Sequence, residues 1–328
     1  MNKEAKYYQA EDGRVRCFLC PHRCLIAPGK TGRCLGRKNI NGKLFATNYG
    51  EVVSMAVDPM EKKPLYHFYP GSEVFSVATY GCNLRCPFCQ NWEISQEVAP
   101  SRFVSPEELV SLGKDAGCKF IAWTYSEPMV WFEYILDTGR LMREAGIKNV
   151  LVTNGMINSE PLEELLPLVD AMNIDLKSFR VEFYREYIKG NFEAVLHTIR
   201  TARKRCLVEL TTLLIPGKND SETEIAELTD FVASLGRDTV LHFSRFFPRY
   251  WAQEQPTPME TLIRAAEIAR QKLHYVYLGN VVAGERFRDT FCPDCGTKLI
   301  DRSDYRGRVV GVKDRKCQGC GRAVDIVL

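Results

Sequence analysis

The chain has 328 residues, 45% of them hydrophobic and 26% charged, with a formal net charge of +3. That composition belongs to a folded globular protein with apolar surface for a large core; it excludes a disordered chain, and no basic tail points to nucleic acid. No stretch is apolar for the length a bilayer requires, and Met1-Asn2-Lys3-Glu4-Ala5-Lys6 does not open a signal peptide, so a cytoplasmic location is expected.

Thirteen cysteines set the organisation. Disulfides are uncommon in the cytoplasm, and eleven of the thirteen fall into three groups, which is the arrangement of metal sites. Cys118 and Cys206 stand apart, each beside a hydrophobic run, and read as small core residues. The first group lies in an N-terminal Cys-rich extension, residues 1–73. There Cys17, Cys20 and Cys24, followed by Gly29, Gly32 and Cys34, form a turn-rich hairpin too small to bury a core. Four cysteines within eighteen residues imply a bound metal, either zinc or a second 4Fe–4S cluster. The tightness of the hairpin tips the reading of the spacing toward zinc. Residues 43–49 and 51–57 alternate like strands of a small sheet. The proline-punctuated connector 58–71 is expected to cover the mouth of the domain that follows.

From residue 74 strands and helices alternate. An alternating apolar run, 74–78, leads into Cys82-Asn83-Leu84-Arg85-Cys86-Pro87-Phe88-Cys89. Ser105-Pro106-Glu107-Glu108 starts a helix with a capping hydroxyl, proline at the first helical position and acids in the first turn; the helix should stop at Gly117. Further strands are expected at 120–124, 149–152, 171–176, 207–215, 240–246 and 275–278. The helices between them end near 146, begin near 159, or span roughly 181–203, 221–235 and 260–272. This alternation predicts right-handed βαβ units and a parallel sheet, with polar residues gathered just after the strands, where a barrel of such units places its active site.

After Asn280 the alternation stops. Residues 287–328 carry Cys292-Pro293-Asp294-Cys295-Gly296 and Cys317-Gln318-Gly319-Cys320-Gly321. Two CxxC arms, each followed by glycine, predict a tetrahedral four-thiolate site that a segment this short needs in order to fold. Zinc is the expected metal, with a rubredoxin-like iron as the alternative.

Cys82, Cys86 and Cys89 have the spacing CxxxCxxC. Three thiolates on one loop can hold three irons of a cubic 4Fe–4S cluster and leave the fourth iron open to a small molecule with an amine and a carboxylate. A zinc knuckle is the simpler alternative, but it wants four ligands. The loop resembles the signature of the radical S-adenosylmethionine (radical SAM) enzymes. That resemblance implies an α/β fold, a partial (β/α)6 TIM-like barrel of the radical SAM type over 74–286, with the small-sheet extension before it and a zinc-ribbon-like module after it. It also implies S-adenosylmethionine as cofactor and a reductant such as a ferredoxin or flavodoxin as partner.

Thr153-Asn154-Gly155, Asp175-Leu176-Lys177 and Leu214-Ile215-Pro216-Gly217 occur in the same order as in the pyruvate formate-lyase activating enzymes, which place a radical on a glycine of a partner enzyme. By that similarity Asp175 and Lys177 contact the cofactor. Two apart on a strand, they share a face and suit the two ends of a methionine moiety; an ion pair at the barrel rim is the alternative. Glu127, in Tyr125-Ser126-Glu127-Pro128, either accepts from the cofactor ammonium or caps the following helix. Phe88 and Asn154 complete the expected cofactor-binding set. These relatives often carry Asp before Thr-Asn-Gly, near a cation site, where this chain has Val152.

The extension, residues 61–71, residues 242–250 and the C-terminal cysteine module are similar to the AmmeMemoRadiSam system radical SAM proteins, which implies Memo-like and AMMECR-type partners. Arg245, Arg249 and Tyr250 are candidates to read an anionic substrate group. His242 and His274 read as packed residues. The expected activity is reductive cleavage of S-adenosylmethionine followed by hydrogen abstraction from an unidentified substrate. Activation of a glycyl-radical partner enzyme and a non-catalytic, metal-stabilised RNA- or protein-binding module are the alternatives.

Overall fold

In the computed structural model, which describes residues 3–282, 284–303 and 306–328, one sheet carries the architecture. Its strands are β1 (Ser54–Pro59), β2 (Glu73–Ala78), β3 (Phe120–Trp123), β4 (Lys148–Thr153), β5 (Ala171–Asp175), β6 (Leu207–Leu214), β7 (Val240–Arg245) and β8 (Val276–Gly279). They lie side by side in sequence order, and β1 and β8 are the two edges. The pairs from β2 to β8 are all parallel, whereas β1 runs antiparallel to β2. Helices α1 (Pro106–Asp115), α2 (Phe132–Glu144), α3 (Ser159–Leu165), α4 (Phe192–Ala202), α5 (Glu222–Ser234) and α6 (Met259–Arg270) follow β2 to β7 in turn. Six strand–helix units and a closing strand make an open α/β barrel, as the alternation predicts.

Local chemistry places these elements. Ser105 and Ser221 cap α1 and α5 by accepting from the backbone N–H three residues on, which satisfies donors that a helix start leaves orphaned. Along the strands successive side chains face opposite ways. Phe75, Ile121, Leu151 and Met172 join the large cluster beneath the helices, while Val74, Phe120, Val150 and Ala171 meet inside the barrel near the strand starts.

Two expectations are corrected. The connector does not cover the mouth: its Met60, Leu65 and Phe68 pack into the inner cluster at the strand starts, closing the opposite end. Those side chains need an apolar partner, and Val74, Phe120, Ala122, Val150 and Ala171 supply it at the strand starts. The single helix expected over 181–203 is two pieces, a π-helical turn at Phe183–Tyr187 and then α4. Lys189 has φ +58° and Asn191 caps the second piece, accepting from the Ala194 amide. The break receives the cysteine loop, since the Arg85 amide donates to the Ile188 carbonyl at 2.8 Å and Gly190 lies against Leu84.

The C-terminal module seals the same floor. Phe68 bridges to Val327, and buried Arg302 donates to the Tyr66 carbonyl at 2.7 Å and to Thr290 Oγ1 at 2.9 Å. Glu209, on the inner face of β6, accepts from the His67 amide and pairs with His242 Nε2, each at 2.7 Å. His242 is thus packed and hydrogen-bonded, as expected, and His274 is held by Asp238 at 2.6 Å. No helix among the described residues is long and apolar enough to cross a membrane.

Candidate active site

The loop that leaves β2 lies at the C-terminal ends of the strands. Gly81, with φ +99°, begins it; the Gly81 amide donates to the Ile94 carbonyl at 2.7 Å, and the Gly81 carbonyl accepts from the Glu127 amide at 3.3 Å. The Arg85 guanidinium holds the turn from within by donating to the carbonyls of Cys82 and Leu84, each at 2.9 Å. The Leu84 amide points at Cys82 Sγ (3.3 Å), and Cys89 Sγ meets Ser95 Oγ at 3.1 Å. Cys86 is buried, and Cys82 and Cys89 are partly buried.

Around the three thiols stand the ends of β3, β4 and β5. Asn154 Nδ2 donates to Asn83 Oδ1 at 2.8 Å and lies 3.6 Å from Cys82 Sγ. Glu127 is buried, accepting from Thr153 Oγ1 at 2.5 Å, the Asn154 amide at 2.8 Å and the Met129 amide at 3.0 Å. Burial pushes its carboxyl up to about 7, against those donors. It caps the short 3-10 turn that starts α2 and ties down the Thr153–Asn154 corner. Lys177 Nζ donates to Asp175 Oδ2 at 2.8 Å. Burial opposes the Lys177 charge, but the Asp175 carboxylate and the neighbouring Cys86 thiol hold its proton well above the usual lysine range. Burial in turn pushes the Cys86 thiol up to about 12, against the pull of Lys177.

A buried thiolate needs positive charge beside it, and a coordinated metal supplies it. Three thiols on one loop, an amide aimed at sulfur and an ammonium next to Cys86 fit a cluster ligated by Cys82, Cys86 and Cys89. Phe88 is buried, ring-stacked on Tyr187 with centroids 5.8 Å apart. The inward residues at the strand ends, Val152, Asp175, Leu213, Ser244 and Gly279, are partly exposed, so the barrel opens beside the loop. Arg245 is engaged, donating to the Thr257 carbonyl at 2.8 Å and lying over Phe247, whereas Arg249 is exposed. Tyr250 stacks between Trp92 and Trp251, with centroids at 5.0 and 4.3 Å.

The sequence profile of the radical SAM superfamily matches residues 76–229, the stretch from within β2 through most of α5 that holds the cysteine loop. Residues 76–229 are a radical SAM domain. An uncharacterised protein, MJ0808 of Methanocaldococcus jannaschii, is 45% identical over 336 residues, covering 99% of this chain and 100% of the relative. MJ1227 of the same organism, provisionally named a glycyl-radical enzyme activating enzyme, is 26% identical over 228 residues, 65% of this chain and 90% of its own. Among solved structures, Streptococcus suis SuiB bound to S-adenosylmethionine superposes with a TM-score of 0.52 at 16% identity, covering 68% of this chain and 53% of SuiB. That likeness is one of fold.

The radical SAM fold therefore brings Cys82, Cys86, Cys89, Asn154, Asp175 and Lys177 to one mouth, with Glu127 directly behind. The C-terminal quartet forms a separate centre. Cys292, Cys295, Cys317 and Cys320 lie within 4.8 Å of one another, with the Cys292–Cys320 and Cys295–Cys317 sulfurs 3.6 Å apart. The Gly319 amide points at Cys317 Sγ (3.3 Å). Four functional neighbours escaped the sequence. Asn83 sits inside the cysteine spacing and Thr153 inside Thr-Asn-Gly, so position alone marked them. Ser95 and Tyr184, whose hydroxyl accepts from the Lys177 amide at 3.0 Å, carry no sequence signal.

Proposed function

We propose that this chain reductively cleaves S-adenosylmethionine at a 4Fe–4S cluster on Cys82, Cys86 and Cys89 and uses the product to abstract hydrogen from a substrate held in the barrel mouth. The observation that carries the reading is the convergence of three thiols with the Asp175–Lys177 pair and Asn154 at the ends of adjacent parallel strands. When bound, the cluster supplies the one electron that breaks the sulfonium, yielding methionine and a 5′-deoxyadenosyl radical. Lys177 presents an ammonium to the cofactor carboxylate, and Asp175 presents a carboxylate to its ammonium. Asn154 fixes the loop through Asn83, and Glu127 positions Asn154. Phe88, packed on Tyr187, walls the cofactor site and helps exclude water. The C-terminal quartet holds one tetrahedral metal, because its sulfurs are as close as a metal–sulfur distance of about 2.3 Å requires, and zinc is the metal that paired CxxC arms favour.

The partners are a one-electron reductant such as a ferredoxin or flavodoxin and, by resemblance, Memo-like and AMMECR-type proteins. A second reading, activation of a glycyl-radical enzyme, is favoured by the likeness to MJ1227, 90% of which aligns with this chain. Anaerobically reconstituted protein given S-adenosylmethionine and a strong reductant should form 5′-deoxyadenosine. A fully loaded cluster that forms none refutes the proposal. Deuterium carried into 5′-deoxyadenosine from a small molecule, rather than from a protein glycine, separates the two readings.

A further inference from the structure

The N-terminal quartet and the C-terminal quartet are built differently. Among the described residues, the C-terminal thiols are the group of three or more metal-ligating side chains that converges within 4.8 Å. Cys17, Cys20, Cys24 and Cys34 instead stand around a cavity, which Arg37 and Asn83 also line. The cavity is narrow. A metal core bonded to these thiols sits closer to them than any unbonded ligand can, since a metal–thiolate bond is about 2.3 Å whereas unbonded atoms keep about 3.5–4 Å apart. A single zinc would require four sulfurs collapsed onto one point, as in the C-terminal module. A cubane, with irons at four alternate corners and each iron bonded to one thiolate, spaces its thiolates more widely.

Three further observations point the same way. Arg37 is 1% exposed; its Nη1 donates to Glu133 at 2.7 Å, while its Nε and Nη2 have no partner. Those two N–H groups belong to a side chain lining the cavity, where an anionic iron–sulfur core would accept them. His22, the other metal-ligating residue type on the cavity wall, spends its Nε2 on the Asn83 carbonyl at 2.7 Å. Finally, the quartet abuts the reactive loop: a Cβ on Gly81 would lie 2.2 Å from the Cys34 carbonyl oxygen, and Asn83 joins the cavity wall to Asn154 beside Cys82.

We infer that Cys17, Cys20, Cys24 and Cys34 hold a second 4Fe–4S cluster, set against the cysteine loop. The spacing alone favours zinc; the spread of the thiols around a cavity replaces that reading. Held there by the four thiolates beside the unpartnered Arg37 N–H groups, the cluster would accept one electron from the external reductant, which is oxidised by one, and would pass it to the cluster on the loop with no bond made or broken.

The test is the metal content of the full-length, anaerobically reconstituted chain carrying Cys82→Ala, Cys86→Ala and Cys89→Ala together. About four irons and four sulfides per chain should remain, beside about one zinc, with the parent holding about eight irons. Adding Cys20→Ala to the triple variant should remove the iron and leave the zinc, which shows that the C-terminal module still folds. About two zincs with iron near zero, or one zinc and no other metal, overturns the inference. The outcome is independent of the proposed activity: a parent with four irons that still forms 5′-deoxyadenosine sinks this site alone. A fully loaded parent that forms none sinks the activity and leaves this site standing.

Discussion

Lys177→Ala is the most direct probe of the cofactor grip. The ammonium lies 2.8 Å from Asp175, with 16% of its side chain exposed, and its backbone N–H is separately held by Tyr184. A charge-assisted hydrogen bond from such a group to the cofactor carboxylate contributes about 1.5–3 kcal/mol. Its loss should raise the dissociation constant for S-adenosylmethionine about 10- to 100-fold, at about 1.4 kcal/mol per factor of ten. Removing the charge also leaves Asp175 without its partner. That carboxylate is 34% exposed, so water compensates and the cost to stability is about 1 kcal/mol rather than that of a broken buried pair. No thiol is bonded to Lys177, so iron and sulfide should stay at the parental level. Equilibrium dialysis with labelled cofactor, run beside iron analysis on reconstituted protein, reads both quantities. Iron lost in parallel with affinity, or an unchanged dissociation constant, would show that the pair is a structural clasp of the rim.

Cys86→Ala should abolish 5′-deoxyadenosine formation and leave the loop cluster labile, measurable as a loss of about four irons per chain; turnover at the parental rate would refute the ligand assignment. Gly81→Ala should destabilise the chain by roughly 2–4 kcal/mol in denaturant unfolding, because φ +99° disfavours any side chain and the new methyl would strike the Cys34 carbonyl. A change below about 0.5 kcal/mol would mean the extension yields freely there. His67 is kept neutral by burial, which lowers its titration from 6.5 to about 4. The unfolded chain therefore binds a proton that the folded chain refuses, and stability is lost as pH falls through that window, by up to about 3 kcal/mol. His67→Gln should lack this contribution when urea unfolding is compared at pH 7 and pH 4.5; an equal loss in both proteins would refute it.

The local order of this molecule was legible in its sequence. Hydrophobic alternation, capping serines and glycine stops mark β2 to β8 and most of the helices, because strand and helix periods follow from which side chains must be buried. The cysteine spacing likewise marks three candidate metal-binding segments, since ligands on one loop are neighbours by covalent connection alone. What depends on distant pairings was not legible. The connector's apolar side chains announce burial but not which barrel end they enter, a choice made by the apolar strand starts and by a C-terminal module more than two hundred residues away. Glu127 reads equally as ligand or cap until folding brings Thr153 and Asn154 onto it. The contrast between the two cysteine quartets has the same origin: covalent spacing bounds how far thiols can separate, but the packing of Arg37, Asn83 and the cysteine loop decides whether they close on a point or surround a cavity.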